Sequence, residues 1–333
     1  MKKHLVSALC ALVAVLTLVV GLAATASAET VIKLGIVTPP GSAQHVTAAR
    51  FAELVQERSN GAYRVEIFHS GSLGTETEIL QQVQMGAVEM AICTLGPFDT
   101  FVPEVKVVSF PFMFRDYAQV DEVLYGPLGD EVLAALERAG FKGLSFSENG
   151  FRNLTNDTRP VHSLADVKGL KIRVMQSTLH KELWRTLGAN PTPMGWPIYS
   201  ELQQGTIDGQ ENPLWVVWTA KLYEVQKYLT LTGHVYSAHV DIASLGWFNA
   251  LPEQTQALLK DCMREASRYQ REWNRTNVQD FLQKLEAAGM QVETQPDLAS
   301  FKERAESLTS MPLYADPATR ALLEKFLKAT AGK

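Results

Sequence analysis

Arg173 and Asn212 are the two residues of this sequence whose types and spacing best suit a piece of chemistry. The segment 169–213 opens with GLKIRV and closes with GTIDGQENP, setting Arg173 on a short strand and Asn212 just before a helix, 39 positions later. A guanidinium is a planar fork that meets a carboxylate through two parallel hydrogen bonds, and a nearby amide satisfies the oxygen lone pairs left over. The pair suits the capture of a carboxylate.

The elements that must position this pair begin after the first 28 residues. Lys2, Lys3 and His4, the apolar run 5–23 and the small-x-small site Ala26-Ser27-Ala28 have the form of a secretory leader, with cleavage expected after Ala28 and a periplasmic location for the mature chain. An uncleaved anchor is the competing reading, and the small-residue site argues against it. Removing 1–28 takes two lysines and no acid from 31 basic and 36 acidic side chains, which leaves a net charge of −7. That charge disfavours nucleic acid and anionic membrane surfaces as partners. The remaining 305 residues usually mean two lobes with separate cores. Cys93 and Cys262 lie in unrelated apolar settings and read as two buried thiols rather than a disulfide.

Alternating strands and helices give an α/β pattern. Strands are expected at 31–37, 63–68, 89–93, 144–147 and 171–174, with helices at 43–59, 76–85 and 178–187 closed by Gly61, Gly86 and Gly188. The first lobe is expected from 29–149 plus 238–277 and the second from 150–237 plus 278–333, with the crossings near Asn149-Gly150 and in the extended segment 236–241. Residues 253–288 contain no Gly or Pro before the end of the stretch and carry a helical apolar stripe. At 1.5 Å per residue this helix would run on the order of 50 Å and span both lobes, either as one rod or with a kink near 274–277. Leu214, Trp218, Leu222, Val225 and Leu229 also read as one helical stripe.

Seven ordered blocks carry a resemblance over nearly the whole mature chain. They are GSLGTETEILQQVQMGAVEMA (71–91), FPFMF (110–114), GFRNLTN (150–156), SLADVKGLKIRV (163–174), LGANPTPM (187–194), LQQGTIDGQENP (202–213) and YEVQKYLTLTGH (223–234). With these the chain resembles the solute-binding proteins of TRAP transporters, the DctP-like family. The resemblance implies a two-lobed periplasmic-binding-protein-like α/β fold with a ligand cleft between the lobes. It also implies a receptor that captures a small organic acid and delivers it to TRAP membrane permease subunits, with no cofactor or metal.

By the same resemblance Arg173 clamps the ligand carboxylate, Asn212 assists it, and Arg152 is a more peripheral second arginine. Trp196 falls at an aromatic wall, while Glu76 and Thr94 fall at first-lobe positions that vary with ligand. Trp215 and Phe98 would extend the apolar wall. The segment Pro197-Ile198-Tyr199 departs from the family pattern, which has one more residue and an acid before the tyrosine. Most of these residues also have a plainer reading: Arg173 as a surface charge or an inter-lobe salt bridge, Arg152 as a tie to Asp157 or Asp166, Asn212 as a helix cap, Trp215 as core, Glu76 as a solvated helix charge. The ligand stays open between a C4-dicarboxylate, a keto acid and an aromatic monocarboxylate. A ligand-presenting partner of a sensor receptor would use the same cleft. An exported enzyme is the third class, but HExxH, G-x-S-x-G, P-loop and G-x-G-x-x-G motifs are all missing. His234 and His239, five apart on an extended segment, point to opposite faces and make poor co-ligands for a metal.

Overall fold

A computed structural model describes residues 29–331. The expected leader, 1–28, lies outside the described residues. The first half of the fold is built on strands β1 (Thr30–Gly35), β2 (Tyr63–Phe68) and β3 (Met90–Thr94), which are linked by the helices Ala43–Arg58 and Glu76–Gln84. Both β1–β2 and β1–β3 pairings are parallel, as strand–helix–strand crossovers require. The helices start where the sequence supplies caps: the Ser42 side chain accepts from His45 N, and Thr75 forms a capping box with Glu78.

Two long strands, β4 (Phe141–Asn156) and β8 (Tyr228–Ser244), run antiparallel from this half into the other. There they meet β5 (Lys171–Val174), β6 (Asn190–Pro193) and β7 (Gly209–Asn212), while β9 (Gln291–Glu293) pairs with β8. The resulting order is β2-β1-β3-β8-β4-β7-β5-β6. Both long strands extend well beyond the short segments expected at 144–147 and 236–241. At Asn149-Gly150, where a crossing is expected, β4 has a register break: Glu148 faces Ala238 and Gly150 faces Ser237, with Gly150 at φ +114°.

The helix Glu253–Ala287 is one unbroken element of 35 residues. Its first part packs Leu259, Cys262, Met263 and Ala266 against Phe51, Leu54 and Val55. Its last part packs Phe281 and Leu285 against Leu214, Val216 and Val217. It therefore bridges the two halves as expected. At the segment where a kink was open, Thr276 and Asn277 bond back to the carbonyls of Glu272 and Trp273, and Asn274 donates to Glu148. The C-terminal helix Pro317–Thr330, expected with the second lobe, packs against Pro103–Val107 and Tyr117–Leu124 of the first.

The stripe running from Leu214 to Leu229 is not one helix. The helix Leu214–Thr219 stops where Lys221 adopts a left-handed conformation, φ +54°, and Leu229 belongs to β8. Trp218 stacks on Tyr223 at 4.9 Å. Cys93 and Cys262 are free, buried thiols.

Candidate functional site

A cavity with an atom-free volume of ≈ 360 Å³ opens between the two halves, beside the crossing strands. Arg173, Asn212, Trp196 and Trp215 line it from the second half, and Glu76, Thr94 and Gln44 from the first. The crossing strands add Asn149 and His239.

Arg173 sits on β5, the strand between β6 and β7. The chain leaving β6 brings the carbonyl of Met194 across it, and this oxygen accepts Nε at 3.0 Å and Nη2 at 2.6 Å. The Trp196 ring centroid lies 5.8 Å from its Cζ, within cation–π range. The residue is only 4% exposed, yet among the described residues it forms no salt bridge. Burial, then the like charge of Arg152, push its pKa down to about 10, against the pull of Glu211 and Glu76. It remains a cation at neutral pH, with Nη1 unclaimed by any protein acceptor among the described residues.

Asn212 ends β7 and donates one N–H of Nδ2 to Gln210 Oε1 at 2.6 Å, which leaves its second N–H, the donor a carboxylate needs, and its amide oxygen for the cavity it lines. Trp215 follows on the next helix, its indole N–H fixed to Asn149 O at 2.7 Å. The ring therefore serves as a wall with no free polar edge.

On the opposite side Glu76 opens its helix. Its carboxylate accepts Thr94 N at 2.8 Å, Gln44 Nε2 at 3.1 Å and the Thr94 hydroxyl. Burial raises its pKa, while those donors and the Arg173 charge oppose the rise. Gln44 is held in turn by Thr38 Oγ1 at 2.8 Å and by its own bond to Ile92 O at 3.1 Å. His239 stands opposite Thr94 in the β3–β8 register. It is 1% exposed, and its Nδ1 has no hydrogen-bond partner. Burial and the Arg152 charge lower its pKa to about 3, which keeps the imidazole neutral.

Two expected residues lie elsewhere. Arg152 is outside the cavity lining, fully buried, and paired with Glu211 of the adjoining strand: Nε to Oε2 at 2.5 Å and Nη2 to Oε1 at 3.0 Å. His180 and His234 also contact Glu211, at 3.2 and 3.1 Å. Burial works to raise the Glu211 pKa, but Arg152 and His180 hold it well below the usual carboxylate range. Neither Asp157 nor Asp166 is the partner. Phe98 packs edge-on against Phe141 at 5.3 Å in the core, away from the cavity. Gln44, Asn149 and His239 were not anticipated. His239 does lie apart from His234, which faces Glu211, as the odd spacing between them demands.

The two halves touch around the cavity. Asp99 Oδ2 accepts from Ser177 Oγ, Thr178 Oγ1 and Leu179 N at 2.8, 2.9 and 3.1 Å, at the start of the helix Thr178–Thr186. Thr77 Oγ1 reaches Gln176 Oε1 at 3.2 Å. Among the described residues no group of three or more His, Cys, Asp and Glu side chains is arranged to hold a metal ion, and no helix is long and apolar enough to cross a membrane.

Residues 34–313 match the family model described as DctP, bacterial extracellular solute-binding protein, family 7. A solute-binding protein of Verminephrobacter eiseniae is 41% identical over 283 residues, covering 84% of this chain and 83% of the relative. The 2,3-diketo-L-gulonate-binding periplasmic protein YiaO of Escherichia coli is 36% identical over 273 residues, covering 82% and 83%. The crystal structure of a TRAP periplasmic solute-binding protein from Polaromonas, bound to D-erythronate, superposes with a TM-score of 0.86 at 36% identity, covering 92% of this chain and 99% of that one.

Proposed function

Because the chain belongs to the DctP family of bacterial extracellular solute-binding proteins, a family of binding proteins rather than enzymes, we propose that it is the periplasmic receptor of a TRAP transporter. It captures a small organic acid between its lobes and delivers it to membrane permease subunits. One observation carries the reading: Arg173 is a buried cation that lines an interlobe cavity and, among the described residues, forms no salt bridge with a carboxylate. An anionic ligand supplies the missing charge.

In this mechanism Arg173 and Asn212 take the carboxylate on the second lobe, against the Trp196 and Trp215 walls. The first lobe then closes, bringing Glu76 and Thr94 to the rest of the ligand. The hinge is the crossing of β4 and β8 at the register break between Glu148 and Gly150, which sets the lobe boundaries at 149/150 and 237/238. A ligand shifts such an equilibrium only through contacts that are better in the closed form. D-erythronate in the Polaromonas structure and 2,3-diketo-L-gulonate in the name of YiaO are both acids of this size class.

The test is a thermal-shift screen of the purified mature protein over organic acids, followed by calorimetry of the hits. A ligand at 100 times its Kd adds about 2.7 kcal/mol of stability, a readily measured rise in Tm. Saturable one-to-one binding is expected, together with ligand-dependent association with the detergent-solubilised permease. A protein that binds no organic acid refutes the reading.

A further inference from the structure

We infer that the cavity selects a hydroxylated monocarboxylate and discriminates against dicarboxylates, with Glu76 as the residue that enforces the choice. The inference rests on the receptor reading above and deepens it.

The first ground is charge. Among the described residues Arg173 is the only cationic side chain that lines the cavity, and the only other charged group there is an acid, Glu76. The neighbouring cation, Arg152, lies outside the lining and already spends its charge on Glu211. A dianion that docked one carboxylate on Arg173 would have to leave the other among Glu76, Thr94, Gln44, Asn149 and His239. No cation waits there, and the carboxylate of Glu76 repels it.

The second ground is the match of donors and acceptors. Glu76 carries about four lone-pair sites. Three donors fill three of them, Thr94 N and Gln44 Nε2 on Oε1 and the Thr94 hydroxyl on Oε2, and the site that remains wants a donor. His239 is a neutral imidazole whose Nδ1 is buried without a partner, and Asn149 Oδ1 is likewise unpartnered after Nδ2 is engaged by Ser237 Oγ at 3.0 Å. Buried polar atoms without partners are uncommon. An ionised carboxylate offers acceptors only, whereas a hydroxyl both donates and accepts. The acceptor site left on Glu76 therefore suits a hydroxyl group and not a second carboxylate. Trp196, Trp215, Val216 and Met175 cover the carbon chain.

Matched pairs that differ only in the group at the far end test this on the intact protein by calorimetry: glycerate with tartronate, D-erythronate with meso-tartrate, and D-galactonate with galactarate, with succinate alongside. The tightest ligand is expected to be a monoacid, with its diacid partner at least about tenfold weaker. Glu76→Gln should narrow that ratio at least about threefold, whatever it does to the affinity for the monoacid. If a diacid of any pair, or succinate, binds as tightly as the best monoacid, the inference is overturned and the receptor reading stands. If the ratio is unchanged in Glu76→Gln, the assignment to Glu76 is overturned. If no acid of the set binds, the inference is overturned, and the wider organic-acid screen decides the receptor reading. The wild-type ratios decide the question even if the variant folds poorly.

Discussion

Replacing Arg173 by alanine strikes the proposed site at its centre. A guanidinium has five N–H donors. Nε and one N–H of Nη2 are turned to Met194 O, at 3.0 and 2.6 Å. Nη1 and the second N–H of Nη2 remain, and these form the edge that meets a carboxylate in two parallel bonds. Charge-assisted bonds contribute about 1.5–3 kcal/mol each, so two contribute at least about 3 kcal/mol, and the variant would also bury the ligand carboxylate unpaired. At about 1.4 kcal/mol per tenfold, Kd should rise at least about a hundredfold. Isothermal calorimetry with the tightest-binding acid measures it. Arg173→Lys should fail to restore affinity, because a point charge does not replace the fork. The ligand-free fold should survive, since the substitution breaks no ion pair and removes a cation that burial disfavours. A loss of less than tenfold removes Arg173 from the site, and a collapse of Tm without ligand assigns it to the fold instead.

Arg152→Ala should do the reverse, damaging the fold: it leaves Glu211, fully buried, without its cation, and removing one member of a buried pair typically costs about 3–5 kcal/mol. Urea unfolding should show a lower midpoint at unchanged slope; a loss under about 1 kcal/mol refutes the structural role. Asp241 makes stability depend on pH. Ser267 Oγ has one proton but faces both Met263 O and Asp241 Oδ2, each at 2.7 Å; a proton on Asp241 resolves the conflict, and burial raises its pKa from 3.8 to about 7. In that window the folded state holds a proton that the unfolded state has released, so this contribution is lost as pH rises from about 4 to about 7. Asp241→Asn, which mimics the protonated acid, should gain on wild type between pH 5 and pH 8 in urea unfolding. A pH-independent difference between the two refutes protonation.

The residues that were legible in the sequence are those fixed by local pattern. Gly-closed amphipathic helices and short apolar strands gave the α/β repeat, and Arg173 stood out because it ends the strand that GLKIRV announces. What separates Arg173 from Arg152 is invisible locally: both follow apolar strand patterns, and only the antiparallel β4–β7 pairing, with Leu154 opposite Glu211, brings a carboxylate to Arg152. Gln44, Asn149 and His239 come from a helix start and two crossing strands. No spacing rule links them, because the cavity is made by long-range register. Asn149-Gly150 was legible as a place where the chain changes course, but not as a bulge within a strand. Gly150 at φ +114° serves a bulge that lets one strand cross between lobes, and a bulge and a turn demand the same residue types.

On the proposed mechanism, the absence of a salt bridge to Arg173 among the described residues is what couples ligand to closure. The closed cleft holds the guanidinium nearly out of water, and the fall in its pKa from 12.5 to about 10 corresponds to roughly 3 kcal/mol of disfavoured charge. Opening the lobes returns the group to solvent, and an anion in the cavity cancels the cost without opening. Ligand therefore favours the closed form. Pairing Arg173 as Arg152 is paired would let the lobes close unaided, and the anion would then have nothing to change.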